Sequence, residues 1–164
     1  MRFKAIGFVV VALIAISGCR ARTQTRTEIE VPLSSVAKDM QARGYRLRKS
    51  FAKPPTDWEV SKFRMRSRVV FAFKAEQPLP DFKDTYYRFA LIEETYDSGS
   101  DAEQRLRQLH DKFPDGPWED DYTRALREGF IVDRTLYILQ TDAALFDPEL
   151  HRLIKELAAS RTSH

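Results

Sequence analysis

The stretch WEVSKFRMRSRVVFAFKA, residues 58–75, predicts the centre of the fold because it is rich in the β-branched and aromatic residues that favour strands. A second run of the same character, YYRFALIEETY, follows at residues 86–96. The connection between them contains Gln77-Pro78-Leu79-Pro80-Asp81, and its two prolines lack the N–H groups that a strand ladder needs. The sequence therefore predicts two strands separated by a loop.

Patterns on both sides of these strands predict the remaining elements. In chain order they are a helix over residues 32–43 ended by Gly44, a strand over 45–51, a helix opened by a capping box at 100–103, a hairpin of 124–132 with 135–141, and a helix opened by Asp147-Pro148. Strands joined by hairpins, with helices between the groups, favour an α+β fold. We expect a two-layer sandwich in which about three helices cover a mainly antiparallel β-sheet.

Alternating basic residues are the most specific surface feature of the sequence. Four of them alternate along the first predicted strand and two along the preceding one, so each set would share one face of its strand. The candidate binding face consists of Arg46, Arg48, Lys62, Arg64, Arg66 and Arg68. Its ligand would be anionic: a phosphate-rich lipid headgroup, an acidic cell-wall polymer or an acidic partner protein. The alternative is that Glu93, Glu94 or similar residues neutralise these cations as cross-strand pairs.

The formal net charge of +3 hides an uneven distribution. Residues 38–74 contain eleven Lys or Arg against three Asp or Glu, whereas residues 75–164 contain eleven basic and nineteen acidic residues. Such asymmetry indicates either a charged binding face or two halves that neutralise each other across one sheet.

The N-terminus carries a second informative pattern. Arg2 and Lys4 precede an apolar run over residues 5–16, which ends in Ile16-Ser17-Gly18-Cys19. As a helix, residues 5–18 would be about 21 Å long, which is too short for a hydrocarbon core of about 30 Å but suits a signal peptide. The segment resembles the lipobox signal peptide of bacterial lipoproteins.

The resemblance implies cleavage between Gly18 and Cys19 and attachment of a diacylglycerol to the Cys19 thiol. Because Arg20 rather than aspartate follows the cysteine, the family pattern implies the outer membrane, facing the periplasm, in a Gram-negative host. The expected organisation is a signal peptide at 1–18, a lipidated cysteine with a flexible tether at 19–30, and a single α+β domain at 31–164.

The sequence contains no motif that indicates catalysis, metal binding or nucleic-acid binding. Cys19 is the only cysteine, and His110, His151 and His164 have no ligand spacing. His110 and Asp111, as helix neighbours, would point to different faces. We expect no catalytic residue, no metal and no cofactor. We also expect no nucleic-acid partner, because the aromatic residues that would stack on bases alternate away from the arginines.

These features together predict a membrane-anchored extracytoplasmic lipoprotein that is not an enzyme. It would act as a binding or accessory module for an envelope component or a partner protein. Two alternatives stay open at this point. One is an inhibitor or immunity-type lipoprotein directed against a toxin or hydrolase, and the other is an enzyme with an unrecognised site.

Overall fold

The computed structural model describes residues 31–112, 118–119 and 126–162. The signal peptide, Cys19 and the tether therefore lie outside the described residues, as does His164. The described elements are, in chain order, α1 (Ser35–Ala42), β1 (Tyr45–Ala52), α2 (Asp57–Phe63), β2 (Met65–Ala75), β3 (Arg88–Tyr96), α3 (Gly99–Lys112), β4 (Trp118–Glu119), β5 (Leu126–Val132), β6 (Thr135–Thr141) and, after a 3-10 turn at Ala144–Phe146, α4 (Asp147–Thr162).

The strands form one antiparallel sheet in the order β1-β2-β3-β6-β5-β4. β4 contributes only two residues at one edge, and β1 forms the other edge. The predicted α+β class with a mainly antiparallel sheet is confirmed. The described residues contain four helices, and these lie on both faces of the sheet rather than on one.

One face of the sheet is covered by α1 and α4. Both helices bury an apolar stripe, as the sequence predicts for the last helix. Each leucine that is fully removed from water here stabilises the fold by about 1.5–3 kcal/mol. The buried side chains on this face include Val36, Ala37 and Met40 of α1, Leu150, Leu153 and Leu157 of α4, and Phe71, Phe73, Phe89, Leu91 and Leu139 of the strands.

The second face is covered over only part of its area. The helices α2 and α3 pack near Tyr96 and Leu136, where they close a smaller core with Phe63 and Leu109. The other end of this face, around Ala72, has no helix over it in the part of the chain that the structure describes. The described residues form a shallow cavity on this half of the sheet.

Local signals set the ends of several elements, and those at Gly44 and at the β5–β6 turn are as predicted. Ser34 caps α1, since its hydroxyl accepts a hydrogen bond from the Ala37 N–H at 3.0 Å. Gly44 ends that helix region with φ +84°, a backbone conformation that glycine adopts without strain. The predicted hairpin of β5 and β6 is confirmed, and Asp133 in its turn has φ 53°.

Three predicted boundaries are wrong. The run 58–75 is not one strand, because its first residues belong to α2 and β2 begins only at Met65. The helix α3 begins earlier than the predicted box at 100–103, since the Ser98 hydroxyl accepts from the Asp101 N–H at 3.2 Å. Asp147 has helical angles and is the first residue of α4 rather than its N-cap.

A capping box explains why α2 is helical. The Thr56 hydroxyl accepts from the Glu59 N–H at 3.3 Å, and the Glu59 carboxylate accepts from the Thr56 N–H at 2.8 Å. The helix ends at Arg64, whose φ of 52° lies in the left-handed region and turns the chain into β2. The reciprocal bonds at its start therefore outweigh the β-prone composition of this short segment.

Candidate functional site

The four basic residues at positions 62–68 do not share one strand face, so that prediction is wrong. Lys62 lies on α2 and Arg64 forms its C-terminal cap. Only Arg66 and Arg68 belong to β2, and a β-bulge between Met65 and Ser67 breaks the alternation there. Arg66 is exposed and bonds to Asp97, whereas Arg68 is buried.

Arg68 is part of a buried ionic network that joins α2 and α3 to the sheet. Its guanidinium donates to Glu94, its cross-strand neighbour on β3, at 2.7 Å, and also bonds to both oxygens of Glu59. Glu94 accepts a further bond from the Tyr96 hydroxyl at 2.6 Å. Arg105 of α3 approaches Glu94 at 3.5 Å and Glu59 at 3.9 Å. The predicted cross-strand neutralisation is therefore confirmed for Arg68 with Glu94.

The electrostatics of this network favour a structural role. Burial disfavours the ionised Glu59 carboxylate, but the Arg68 guanidinium and the Thr56 N–H outweigh burial and lower the pKa of Glu59 to about 2. Burial likewise disfavours the charged form of Arg68, yet its two carboxylate partners raise the pKa of the guanidinium. Both charges are thus compensated inside the protein, and Arg68 is not free to bind a ligand.

A different row of cations forms at the opposite end of the same sheet face. Arg46 of β1 pairs in register with Lys74 of β2, and Lys74 pairs with Arg88 of β3. Directly opposed residues on neighbouring antiparallel strands have Cα atoms about 4.5–5.5 Å apart. These three residues, called the basic row below, therefore lie side by side across three strands. Lys74 is six positions from Arg68 along β2, or about 20 Å.

The basic row borders a shallow groove on the open half of the sheet. Ala72 and Ala90 are direct cross-strand neighbours and form its floor, and the cavity has a volume of about 400 Å³. Arg48, which lies at a β-bulge in β1, adds a fourth cation to the groove. We call this the basic groove, and the described residues that line it include Arg48, Ala72, Lys74, Arg88, Ala90, Gln140 and Asp142.

The charges of the basic groove are only partly compensated. Asp142 lies 3.5 Å from Arg88, and both side chains are more than 60% exposed, at 62% and 61%. The Lys74 ammonium lies 3.6 Å from the centre of the Tyr86 ring, a cation–π contact that leaves its charge in place. Among the described residues, no carboxylate forms an ion pair with Arg46, Arg48 or Lys74. The adjoining cavities also carry Glu76 and Asp84 at their margins.

The sequence pattern identified part of this groove and missed the rest. The predicted binding face includes Arg46 and Arg48; Arg48 lines the groove, and Arg46 lines the adjoining cavity beside Lys74. The predicted binding face does not include Lys74 or Arg88. Strand register places these two residues beside Arg46, and register depends on contacts between residues far apart in the sequence. A usable signal exists for two of these residues: Lys74 and Arg88 stand at strand ends on either side of the same proline-containing connection.

The histidines of the described region have structural partners. His151 of α4 bonds to Glu128 of β5 through Nδ1, and its Nε2 lies 3.4 Å from Asp147. Burial raises the pKa of Glu128, which the nearby His151 opposes. His110 is exposed on α3. In the described part of the chain, no three His, Cys, Asp or Glu side chains are grouped in a way that could hold a metal ion.

Comparison with protein-family models, with curated proteins and with solved structures gives no match for this chain. Within the residues that the structure describes, no helix has the length and apolar character needed to cross a membrane.

Proposed function

We propose that this chain is a lipid-anchored, extracytoplasmic lipoprotein that acts without catalysis and binds an anionic component of the cell envelope in the basic groove. The proposed anchor is a diacylglycerol on Cys19, and the proposed site is the outer membrane, facing the periplasm. The lipobox resemblance of residues 16–19 supports the location, and the groove supports the ligand class.

One observation carries the binding part of this proposal. The basic row places three like charges directly opposite one another on adjacent strands. Such an arrangement destabilises a sheet, whereas opposite charges in the same positions would contribute about 0.2–1 kcal/mol per pair. A bound anion between these side chains turns the mutual repulsion into charge-assisted hydrogen bonding. Buried Arg68 shows the contrasting case, in which the chain supplies its own carboxylates.

The uncovered half of the sheet face also supports a ligand-binding site in the basic groove. The groove exposes Ala72 and Ala90, while the equivalent area at the other end of this face is covered by α2 and α3. An accessible, partly apolar depression with a few convergent cations has the general character of a ligand site. The apolar face under α1 and α4 has no comparable cationic row.

The test uses two matched triple variants of the mature lipidated chain. The groove variant carries Arg46→Gln, Lys74→Gln and Arg88→Gln, and the control variant carries Lys62→Gln, Arg64→Gln and Arg66→Gln. Each removes three positive charges from exposed or half-buried positions. At low salt, we expect the control variant to bind solubilised, protein-free envelope components. We expect the groove variant to lose this binding. Equal retention by both variants would overturn the proposal.

The anchor is tested separately. Mass spectrometry of the protein from its native host should show a mature chain that begins with a lipidated Cys19. A free Cys19 thiol, or a leader still joined to the domain, would contradict the proposed location without affecting the groove.

A further inference from the structure

The chemistry of the sheet surface changes along the strands from the basic groove to the residues next to it. Lys74 and Arg88 form the cationic wall, and two residues further along each strand Ala72 and Ala90 form the floor. Two residues further again, Val70 and Ile92 are the next cross-strand pair, and both are half-buried and apolar. The cavity therefore has a cationic side and an alanine floor, and the aliphatic pair lies beyond that floor on the same sheet face. We call this arrangement the trough.

The dimensions of the trough favour a slender ligand. Its volume of about 400 Å³ lies within the range of about 300–1,000 Å³ that is typical of small-molecule sites. The two flanking rows are four residues apart along each strand, which places their Cα atoms about 13 Å apart. An α-helix with its side chains is about 10–12 Å wide, so the side chains of both rows would exclude it. A single alkyl chain fits on the floor.

We propose that the trough binds an amphiphile made of an alkyl chain and a phosphate, and this inference rests on the proposed function above. The phosphate lies between Lys74 and Arg88, where an ammonium point charge and a planar guanidinium fork are both in reach. The alkyl chain lies over Ala72 and Ala90 against the aliphatic row. Asp142, which also lines the cavity, lies 3.5 Å from one terminal nitrogen of Arg88, and the phosphate takes other N–H groups of that guanidinium.

The same ligand chemistry has two possible sources. One is a bilayer lipid whose headgroup is a phosphate monoester, and the other is a free alkyl phosphate monoester in the aqueous compartment. Both present a phosphate joined to a hydrocarbon chain, and the trough recognises that combination.

The experiment uses the full lipidated chain in phosphatidylcholine nanodiscs. Hexyl phosphate, inorganic phosphate and hexanol are each titrated by calorimetry, with ligand-free nanodiscs subtracted. Acylation of lysine amines, read residue by residue by mass spectrometry, reports whether Lys74 is protected while Lys62 is not. Circular dichroism confirms that each variant keeps the wild-type fold. The variants are the groove and control variants already defined and Ala90→Leu, which fills the floor.

We expect hexyl phosphate to bind at least about tenfold more tightly than inorganic phosphate, a gain that two buried methylene groups suffice to supply. Binding should protect Lys74, disappear in the groove variant and persist in the control. Ala90→Leu should remove the gain from the chain and keep the weaker phosphate binding. Hexanol alone should not protect Lys74.

Three results would overturn the inference. Equal affinity for hexyl phosphate and inorganic phosphate, both lost in the groove variant, would refute the alkyl site and leave the anion-binding function standing. Equal affinity in the groove and control variants, or no binding of either phosphate, would refute both. Protection of Lys74 by hexanol alone would refute the role of the phosphate.

A further experiment distinguishes a bilayer lipid from a free amphiphile as the ligand. Nanodiscs that contain a minor fraction of phosphatidic acid are compared with pure phosphatidylcholine nanodiscs, without added ligand. Protection of Lys74 by phosphatidic acid in the same disc supports a bilayer source. Protection only by hexyl phosphate supports a free amphiphile, and protection by neither ligand refutes the inference.

Discussion

Replacing Arg68 by methionine tests how strongly the buried network holds α2 and α3 on the sheet. The change leaves Glu59 and Glu94 without their main cationic partner, although Arg105 stays at 3.9 and 3.5 Å and the bonds from Thr56 and Tyr96 persist. The pKa of Glu59 falls from 4.5 to about 2 in the folded chain. At about 1.4 kcal/mol per pKa unit, the whole shift corresponds to about 3 kcal/mol, of which Thr56 supplies a part that the substitution keeps. Removing one partner of a buried ion pair costs about 3–5 kcal/mol, so we expect a loss near the lower end of that range.

The pH dependence of this loss has a definite sign. Because the folded pKa of Glu59 is depressed, its contribution is present above pH 4.5 and is lost as the pH falls towards 2. The difference in unfolding free energy between wild type and Arg68→Met should therefore be about 3 kcal/mol at pH 7 and should shrink below pH 4.5.

The assay is urea denaturation of the mature chain in a neutral detergent, followed by circular dichroism. Arg66→Met is the matched control, because Arg66 is also ion-paired on β2 but its side chain is 69% exposed. It should change stability far less than Arg68→Met. A loss below about 1 kcal/mol for Arg68→Met at pH 7, or a loss that does not vary with pH, would refute the reasoning.

Three further substitutions test other parts of the structure. Burial raises the pKa of Glu93, so the charged carboxylate destabilises the folded chain at pH 7. Glu93→Gln should therefore increase stability at pH 7, and this gain should vanish in acid, where Glu93 is protonated. An unchanged urea midpoint at pH 7 would contradict this. Arg46→Glu places a carboxylate directly opposite Lys74 and should raise stability by about 0.5 kcal/mol while anion binding weakens, whereas destabilisation would count against the repulsive row. Gly129→Ala would place a Cβ 2.8 Å from the backbone oxygen of Tyr137 and should lower stability by about 1–3 kcal/mol in thermal unfolding, and a neutral result would show that β5 can shift.

Much of the fold follows from local signals in the sequence. Gly44 ends the first helix, the hairpin of β5 and β6 turns at Asp133, and α4 buries the apolar stripe that its spacing predicts. Each of these features depends on residues within a few positions of one another. Such short-range information is available from one sequence without knowledge of the tertiary contacts.

The misassigned helix shows where local signals compete. Residues 57–63 lie within a β-prone run, yet Thr56 and Glu59 form a capping box that starts α2. Phe63 then becomes fully buried between this helix and α3. The capping signal is visible in the sequence, but its weight against strand propensity is decided by the tertiary core that α2 helps to close.

The groove was only half predictable because two features break simple alternation. The bulge in β2 leaves Arg66 as an extra residue in the strand, and Arg68 is neutralised by Glu94 and Glu59. Lys74 and Arg88 meet Arg46 through pairing across three strands. A period of two along one strand carries no information about which residue of the neighbouring strand lies opposite.

The central claim is that the basic row of Arg46, Lys74 and Arg88 binds an anion, and ligand-induced stabilisation measures it most directly. A ligand that binds only the folded state raises its stability with concentration. With pyrophosphate as the probe, the melting temperature should rise for the wild-type chain and for the variant neutralised at residues 62, 64 and 66. It should stay constant for the variant neutralised at the basic row. A rise of equal size in both variants, or none in the wild type, would contradict the account.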